Sequence, residues 1–237
     1  MKNQVTIGCS SFYNSFWKTV FYPQNLPSKK WFEFYCHHFN TYEFNGSFYK
    51  FPTVRIFQNW YDKTPESFLF SDKVPKEITH IKKLIDCESR LNDFYTVCKE
   101  GMKDKLAAIL FQFPPSYAFS REKLHAIIGI LNYDFKNVIE FRHESWWNDE
   151  VWTAFKENKI TFCSVSYPNL PQTIFKDFPL LYMRFHGIPR LFHSSYSTEE
   201  LQHVHRQIRS RKGFIYFNNT ASEAGILNAL ELKRMAS

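Results

Sequence analysis

The stretch LAAILFQFPPSYAFSREKLHAIIGILNYDFKNVIEFR, residues 106–142, decides the fold. Its first eight residues, Leu106–Phe113, are apolar apart from Gln112 and stop at Pro114-Pro115. Proline cannot donate to a strand ladder, so the run ends there. Ser120 is placed to cap a helix whose Leu124, Ile127, Ile128 and Leu131 share one face. Val138–Phe141 then opens a second apolar run. A buried strand, a helix and another buried strand read as a βαβ unit, whose strands run parallel.

The same alternation extends in both directions. Further β-type runs are Val5–Ile7, Thr41–Asn45, Phe68–Lys73, Ile160–Ser166, Leu180–His186 and Gly213–Phe217. Helical patterns lie between them. One opens at Ser28 as N-cap, with Trp31, Phe34, Tyr35 and His38 on one face; another carries Ile56, Phe57, Trp60 and Tyr61. Ile81–Ile85 and Leu91–Cys98 follow, with Gly101 as the expected C-cap residue. Asn148 caps the next helix, and Ser197/Glu200 and Thr220/Glu223 read as capping boxes for the last two. Between the sixth and seventh runs, Pro168, Pro171 and Pro179 predict a loop without a proper helix. Eight strand–helix units in 237 residues predict an α/β fold, a TIM-barrel-like (β/α)8 barrel forming a single domain over 1–237. An open doubly wound sheet would show fewer units.

Composition narrows the function classes. Aromatics make up 19% and apolar residues 44%, which excludes a disordered chain. No GxGxxG and no GxxxxGK[ST] occurs, so there is no nucleotide cofactor motif. The formal net charge of +7 favours anionic partners: an anionic small-molecule substrate first, nucleic acid second. The densest basic stretch, His203 to Lys212 with Arg206, Arg209 and Arg211, reads as a solvated helix face. The five cysteines form no CxxC or CxxH pair, which fits reduced thiols. MKNQVTIGCSSF lacks the apolar segment of a signal peptide, and Leu106–Phe111 is too short to span a bilayer. The expectation is a cytoplasmic chain with no membrane partner.

Strand parity locates the polar residues, since residues two apart share a face. Glu43 lines up with Thr41 and Asn45, Lys73 with Ser71, and Gln112 with Leu110. Glu140 lines up with Arg142 and Arg184 with His186, while the eighth run ends in Asn218 and Asn219. These charges gather at C-terminal strand ends, where barrels carry their catalytic residues. Charges facing a barrel interior cost desolvation unless they are paired or used.

In sequence order, IGCSSF at 7–12, FYPQNLP at 21–27, TYEFNGSFYKFP at 41–52, KVPKEITH at 73–80, LFQFPPSY at 110–117, EFRHESW at 140–146, RFHG at 184–187 and YFNN at 216–219 resemble the YecE-like family, domain of unknown function 72. The resemblance implies a TIM-barrel-like fold and supplies no activity. The chain departs from the family pattern at Ser11-Phe12, where Gly-Trp is common. It departs again at Ser164 and Ser166, where an acidic residue is common, and at Thr220, where Asp is common. A mechanism here therefore draws no carboxylate from the sixth strand or the eighth loop.

The constellation reads as a probable-enzyme site at the C-terminal mouth, acting on a phosphorylated or otherwise anionic substrate. Glu43, Glu140 and His186 are the acid–base candidates. Lys73, Arg142 and Arg184 are the anion binders, and Asn45, Gln112, Asn218 and Asn219 position polar groups. Trp146, with Trp17 and Trp147, could stack on a sugar or base, although large aromatics more often pack a core. One alternative joins Glu43, Glu140, His186 and His143 around a divalent metal, as in a metal-dependent phosphodiesterase or nuclease-like barrel. Another is a non-catalytic anion- or nucleic-acid-binding protein. Cys9 as a nucleophile is the weakest reading, because free cysteines are usually buried and inert. Carboxylates fully paired with arginines would favour binding or structural roles.

Overall fold

Among the described residues nine short strands are interspersed with helices, and the strand pairs are parallel. The computed structural model describes residues 4–208 and 211–236. Parallel strands in this alternation make an α/β fold of the TIM-barrel-like class. The chain divides into two compact units: Met1–Glu43 with Ser164–Lys176 and Leu180–Ser237, and Phe44–Cys163 with Asp177–Pro179.

In the first unit lie β1 (Gln4–Cys9), α1 (Trp31–His38) and most of β2 (Thr41–Phe44). The second unit holds α2 (Gly46–Tyr49), α3 (Val54–Asp62), β3 (Leu69–Lys73), α4 (Glu88–Met102) and β4 (Leu106–Gln112). It continues through α5 (Arg121–Ile130), β5 (Asn137–Glu140), α6 (Asp149–Glu157) and β6 (Thr161–Phe162). The first unit resumes with β7 (Ser164–Ser166), β8 (Leu181–Phe185), α7 (Thr198–Ile208), β9 (Lys212–Phe217) and α8 (Ala224–Ala236). Its strand order is β2-β1-β9-β8-β7; that of the second unit is β6-β5-β4-β3.

Several local expectations are met. Ser120 and Asn148 accept backbone N–H bonds from Lys123 and Val151. Ser197 and Glu200 bond reciprocally at the start of α7. Five readings are corrected. The sixth run is two strands, because it changes partner at Cys163: β6 pairs with β5 and β7 with β8. Ser28 opens a short 3-10 turn, Ser28–Lys30, and the α-helix starts at Trp31. Gly101 lies inside α4, where a Cβ would stand 2.4 Å from that of Phe57 in α3. Close helix packing, not capping, demands that glycine. At α8, Ser222 Oγ accepts the Ala224 N–H in place of a Thr220/Glu223 box. Ile81–Ile85 likewise gives no α-helix: a π turn spans Glu77–Ile81, followed by Lys83, Leu84 and Asp86 at positive φ.

The first unit is tied by buried hydroxyls. Tyr35 OH accepts from Cys9 N–H at 2.8 Å and donates to the Thr41 carbonyl at 2.9 Å, holding β1 against β2. On α8, Asn228 exchanges two bonds with the Tyr196 backbone and anchors the loop before α7. On α7, Leu201, Val204 and Ile208 are buried while His203 and Arg206 are exposed; Arg209 lies outside the described residues.

In the second unit, β4 and β5 bury every position except Leu106, and Tyr95 of α4 packs on Phe111 and bonds Asn137. Asp72 of β3 sits on this helix-covered face with no exposed surface and with the Cys98 thiol of α4 beside it. Burial pushes its carboxyl up to about 8. An unfolded aspartate titrates at about 3.9, so between these values the folded chain holds an extra proton. Stability then falls as pH rises through that window. Asp72→Asn copies the protonated acid without its titration. Thermal melts should show variant and wild type alike near pH 4 and the variant increasingly more stable toward pH 8. Parallel melting curves across that range would refute a protonated Asp72.

Candidate functional site

The polar strand ends form a cluster in each unit. In the first, Glu43 of β2 is fully buried. Its Oε1 accepts from Arg184 Nη2 at 2.6 Å and Nε at 3.1 Å, and its Oε2 accepts from Tyr182 OH at 2.8 Å. Arg184, on β8, is 1% exposed. Just past the strand ends, Ser10 Oγ donates to Asn218 Oδ1 at 2.5 Å, and Asn218 Nδ2 stands 2.8 Å from His186 Nδ1. The amide must donate there, which puts the proton of a neutral His186 on Nε2. The ring is fully buried, edge-on to Tyr167 and Phe192. Asn219 is buried too and donates to the Ser194 carbonyl at 2.9 Å, pinning the loop after β8.

In the second unit, Lys73, Gln112 and Glu140 are the last residues of β3, β4 and β5. Gln112 pairs in register with Glu140, and Lys73 with Leu110, two residues before Gln112. Lys73 Nζ donates to Gln112 Oε1 at 3.0 Å and lies 3.9 Å over the Phe48 ring of α2. Gln112 Nε2 donates to the Phe113 carbonyl at 2.7 Å and approaches His80 Nε2 at 3.4 Å. Glu140 is buried and ion-paired with Arg142. Asn45 stands at the N-cap position of α2.

His80 lies outside the strand-parity pattern, in the π turn after β3. Its Nδ1 is 2.9 Å from Thr79 Oγ1, and Phe48 meets its ring edge-on at 4.9 Å. With Gln112 supplying an N–H toward Nε2, the ring proton belongs on Nδ1. Burial, then the charges of Lys73, Lys76 and Arg142, push His80 down to about 4, against an opposing pull from Glu140. It is therefore neutral at pH 7, and the field around it is net positive. The available signal was positional: KVPKEITH places a histidine in the loop at a C-terminal strand end, where parity counting does not reach.

The remaining candidates have other surroundings. Trp146 is buried between Phe141 and Tyr117, at 3.9 and 5.7 Å, and donates to the Tyr117 carbonyl at 2.6 Å. Trp17 is buried and donates to the Ser222 carbonyl. His143 bonds Ser145. Burial drives the Cys9 thiol far above its ordinary value, which keeps it protonated. Among the described residues, no three His, Cys, Asp or Glu side chains gather to hold a metal ion. Nor is any described helix long and apolar enough to cross a membrane. Cavities of about 300 Å3, at the N-terminal end of β4, and about 470 Å3, against α7 and β8, include none of the residues of the two clusters.

Comparison with known proteins gives one consistent family. The family model described as "Protein of unknown function DUF72" matches residues 6–237. UPF0759 protein YunF of Bacillus subtilis is 30% identical over 149 residues, 60% of this chain and 51% of that protein. UPF0759 protein YecE of Escherichia coli is 27% identical over 114 residues, 47% and 41% of the two chains. These matches span about half or less of the curated relatives. A solved DUF72 family protein from Thermotoga maritima superposes with a TM-score of 0.87 at 27% identity, covering 98% of both chains. One from Enterococcus faecalis gives 0.82 at 20% identity, over 98% and 95% of the two chains, and speaks to the fold alone.

The Glu43–Arg184 pair sets a stability test. Arg184→Met strands a buried carboxylate and should cost about 3–5 kcal/mol in urea unfolding. Adding Glu43→Gln should recover much of that loss. A single variant as stable as wild type would show that the pair does not hold the first unit together.

Proposed function

We propose that this chain, which belongs to the DUF72 family, binds a small anionic substrate at the C-terminal ends of β3, β4 and β5 and acts on it by acid–base chemistry. The observation that carries this reading is His80: a half-buried imidazole set beside Gln112 at the strand ends and kept neutral by burial and then by the surrounding cations. Lys73 and Arg142 supply the positive field that an anion would enter, and Arg suits bidentate contact with phosphate or carboxylate. An imidazole beside bound substrate can carry the proton that acid–base chemistry transfers, and Glu140 is the carboxylate of the same cluster. The rows Lys73, Gln112 and Glu140 occupy the strand ends on which barrels build their chemistry. Glu43 and His186 stay as acid–base candidates of the first unit, and Arg184, Asn218 and Asn219 as its polar framework.

One observation favours a second reading, binding without turnover: Glu43 and Glu140 each have an arginine partner. Turnover separates the two readings. Wild type, Lys73→Met and His80→Gln should be screened by thermal shift against sulfate, phosphate, sugar phosphates, carboxylates and short oligonucleotides. A ligand at a hundred times its Kd should add about 2.7 kcal/mol. Lys73→Met should weaken its binding roughly tenfold, the effect of losing one charge-assisted bond. A bound compound that wild type turns over and His80→Gln does not, at preserved affinity, establishes the enzyme. No stabilisation of wild type by any anion, or equal stabilisation of Lys73→Met, overturns the site.

A further inference from the structure

We propose that this anion site is proton-coupled: an anion held by Lys73 and Arg142 is bound together with a proton, which is taken up by His80 Nε2. The inference rests on the anion-site reading above and adds to it how affinity answers to pH.

The geometry supplies both states. Without anion, His80 Nδ1–H points to Thr79 Oγ1, and Nε2 faces the Gln112 amide nitrogen at 3.4 Å, the long limit for a hydrogen bond. Gln112 Oε1 is engaged by Lys73 Nζ at 3.0 Å. An anion draws the Lys73 ammonium toward itself and releases Gln112 Oε1. Gln112 Nε2 keeps its 2.7 Å bond to the Phe113 carbonyl, and the Nε2–H of a protonated His80 donates to the anion itself, the acceptor that the amide nitrogen cannot supply. The proton comes from solvent, and no covalent bond is made or broken.

The charged and polar groups facing the ring come from every element around it. Lys73 lies on β3, Lys76 and Thr79 on the segment of His80 itself, Gln112 on β4, Glu140 on β5, Arg142 just beyond it, and Phe48 on α2. Of the charges, three cations oppose protonation and Glu140 favours it. A bound anion cancels part of the opposing field, and His80 moves back toward the ordinary histidine range. Linkage is reciprocal: if the anion helps the proton bind, the proton helps the anion bind by the same factor.

Sulfate is the probe, because it stays a dianion over the useful range and so adds no titration of its own. Its affinity would be measured by calorimetry between about pH 4.5 and 6.5 for wild type and His80→Gln. Wild type should bind more tightly as pH falls, approaching about tenfold per pH unit where the coupling is complete. Repeating the titration in buffers of different ionisation enthalpy should show uptake of close to one proton. His80→Gln should bind sulfate with little pH dependence and little proton uptake. An equal slope in the variant overturns the proposal and assigns the proton to a group other than His80. A pH-independent wild type that still binds sulfate overturns it too, while leaving the anion site intact. Wild type that binds no sulfate at any pH defeats both. Should His80→Gln fail to fold, imidazole NMR of wild type decides: sulfate must raise the titration midpoint of one buried ring near Phe48.

Discussion

A carboxylate with no exposed surface in a parallel sheet must find its countercharge within reach, and that requirement organises the first unit. Glu43 and Arg184 sit on β2 and β8, with β1 and β9 between them. Strands three apart in a flat sheet lie about 14 Å from each other, and side chains stand roughly perpendicular to it. A 2.6 Å contact therefore requires this sheet to curl. The bond from Thr41 on β2 to Tyr216 on β9 spans the same concave face. Curvature and ion pair depend on each other: the pair forms only on a curled face, and the curl leaves a charge buried unless the pair forms. Three hydrogen bonds on one carboxylate meet its desolvation penalty.

The second unit handles charge by steps along neighbouring strands. Lys73 reaches Gln112 two residues further along the next strand, Gln112 is level with Glu140, and Arg142 follows two residues later. Each step is short enough for ordinary parallel register, so no partner must cross the sheet. Gln112 is the fixed member, since its amide accepts from Lys73 on one side and donates to the Phe113 carbonyl on the other. A histidine at the edge of this row feels the cations most and the carboxylate least.

The alternation of strands and helices was legible because each buried run is bounded by a physical stop, as Pro114-Pro115 ends β4 and Ser120 starts α5. Strand parity likewise put Lys73, Gln112 and Glu140 at C-terminal strand ends, where β3, β4 and β5 carry them. What parity could not show is which partner answers which charge. Glu43 meets Arg184 across 141 residues of sequence, a choice made by curvature. Asp72 was passed over because its neighbours in the run suggest an apolar face, and a buried neutral acid fits such a face as a small polar exception. Gly101 was misread because a glycine near a helix end serves capping and close packing equally well in sequence; only Phe57 distinguishes them.

His80 shows why a site is more than its strand ends. The backbone leaves β3 at Lys73, passes Val74 and Pro75, and winds a π turn whose wider spacing sets the imidazole over the row of strand-end side chains. Such turns are costly in regular helices and are found where a side chain must be aimed. Here Thr79 fixes one ring nitrogen and Phe48 packs against the ring, so the other nitrogen is held toward Gln112. An imidazole that is to take up a proton only with its anion, as proposed, needs its proton affinity held low until that anion arrives. If Lys73 and Arg142 bind the substrate as proposed, their charges add to burial in that control, and the event that brings the substrate also relieves the field. On that proposal binding and proton affinity are set by the same side chains, and replacing Lys73 or Arg142 changes both.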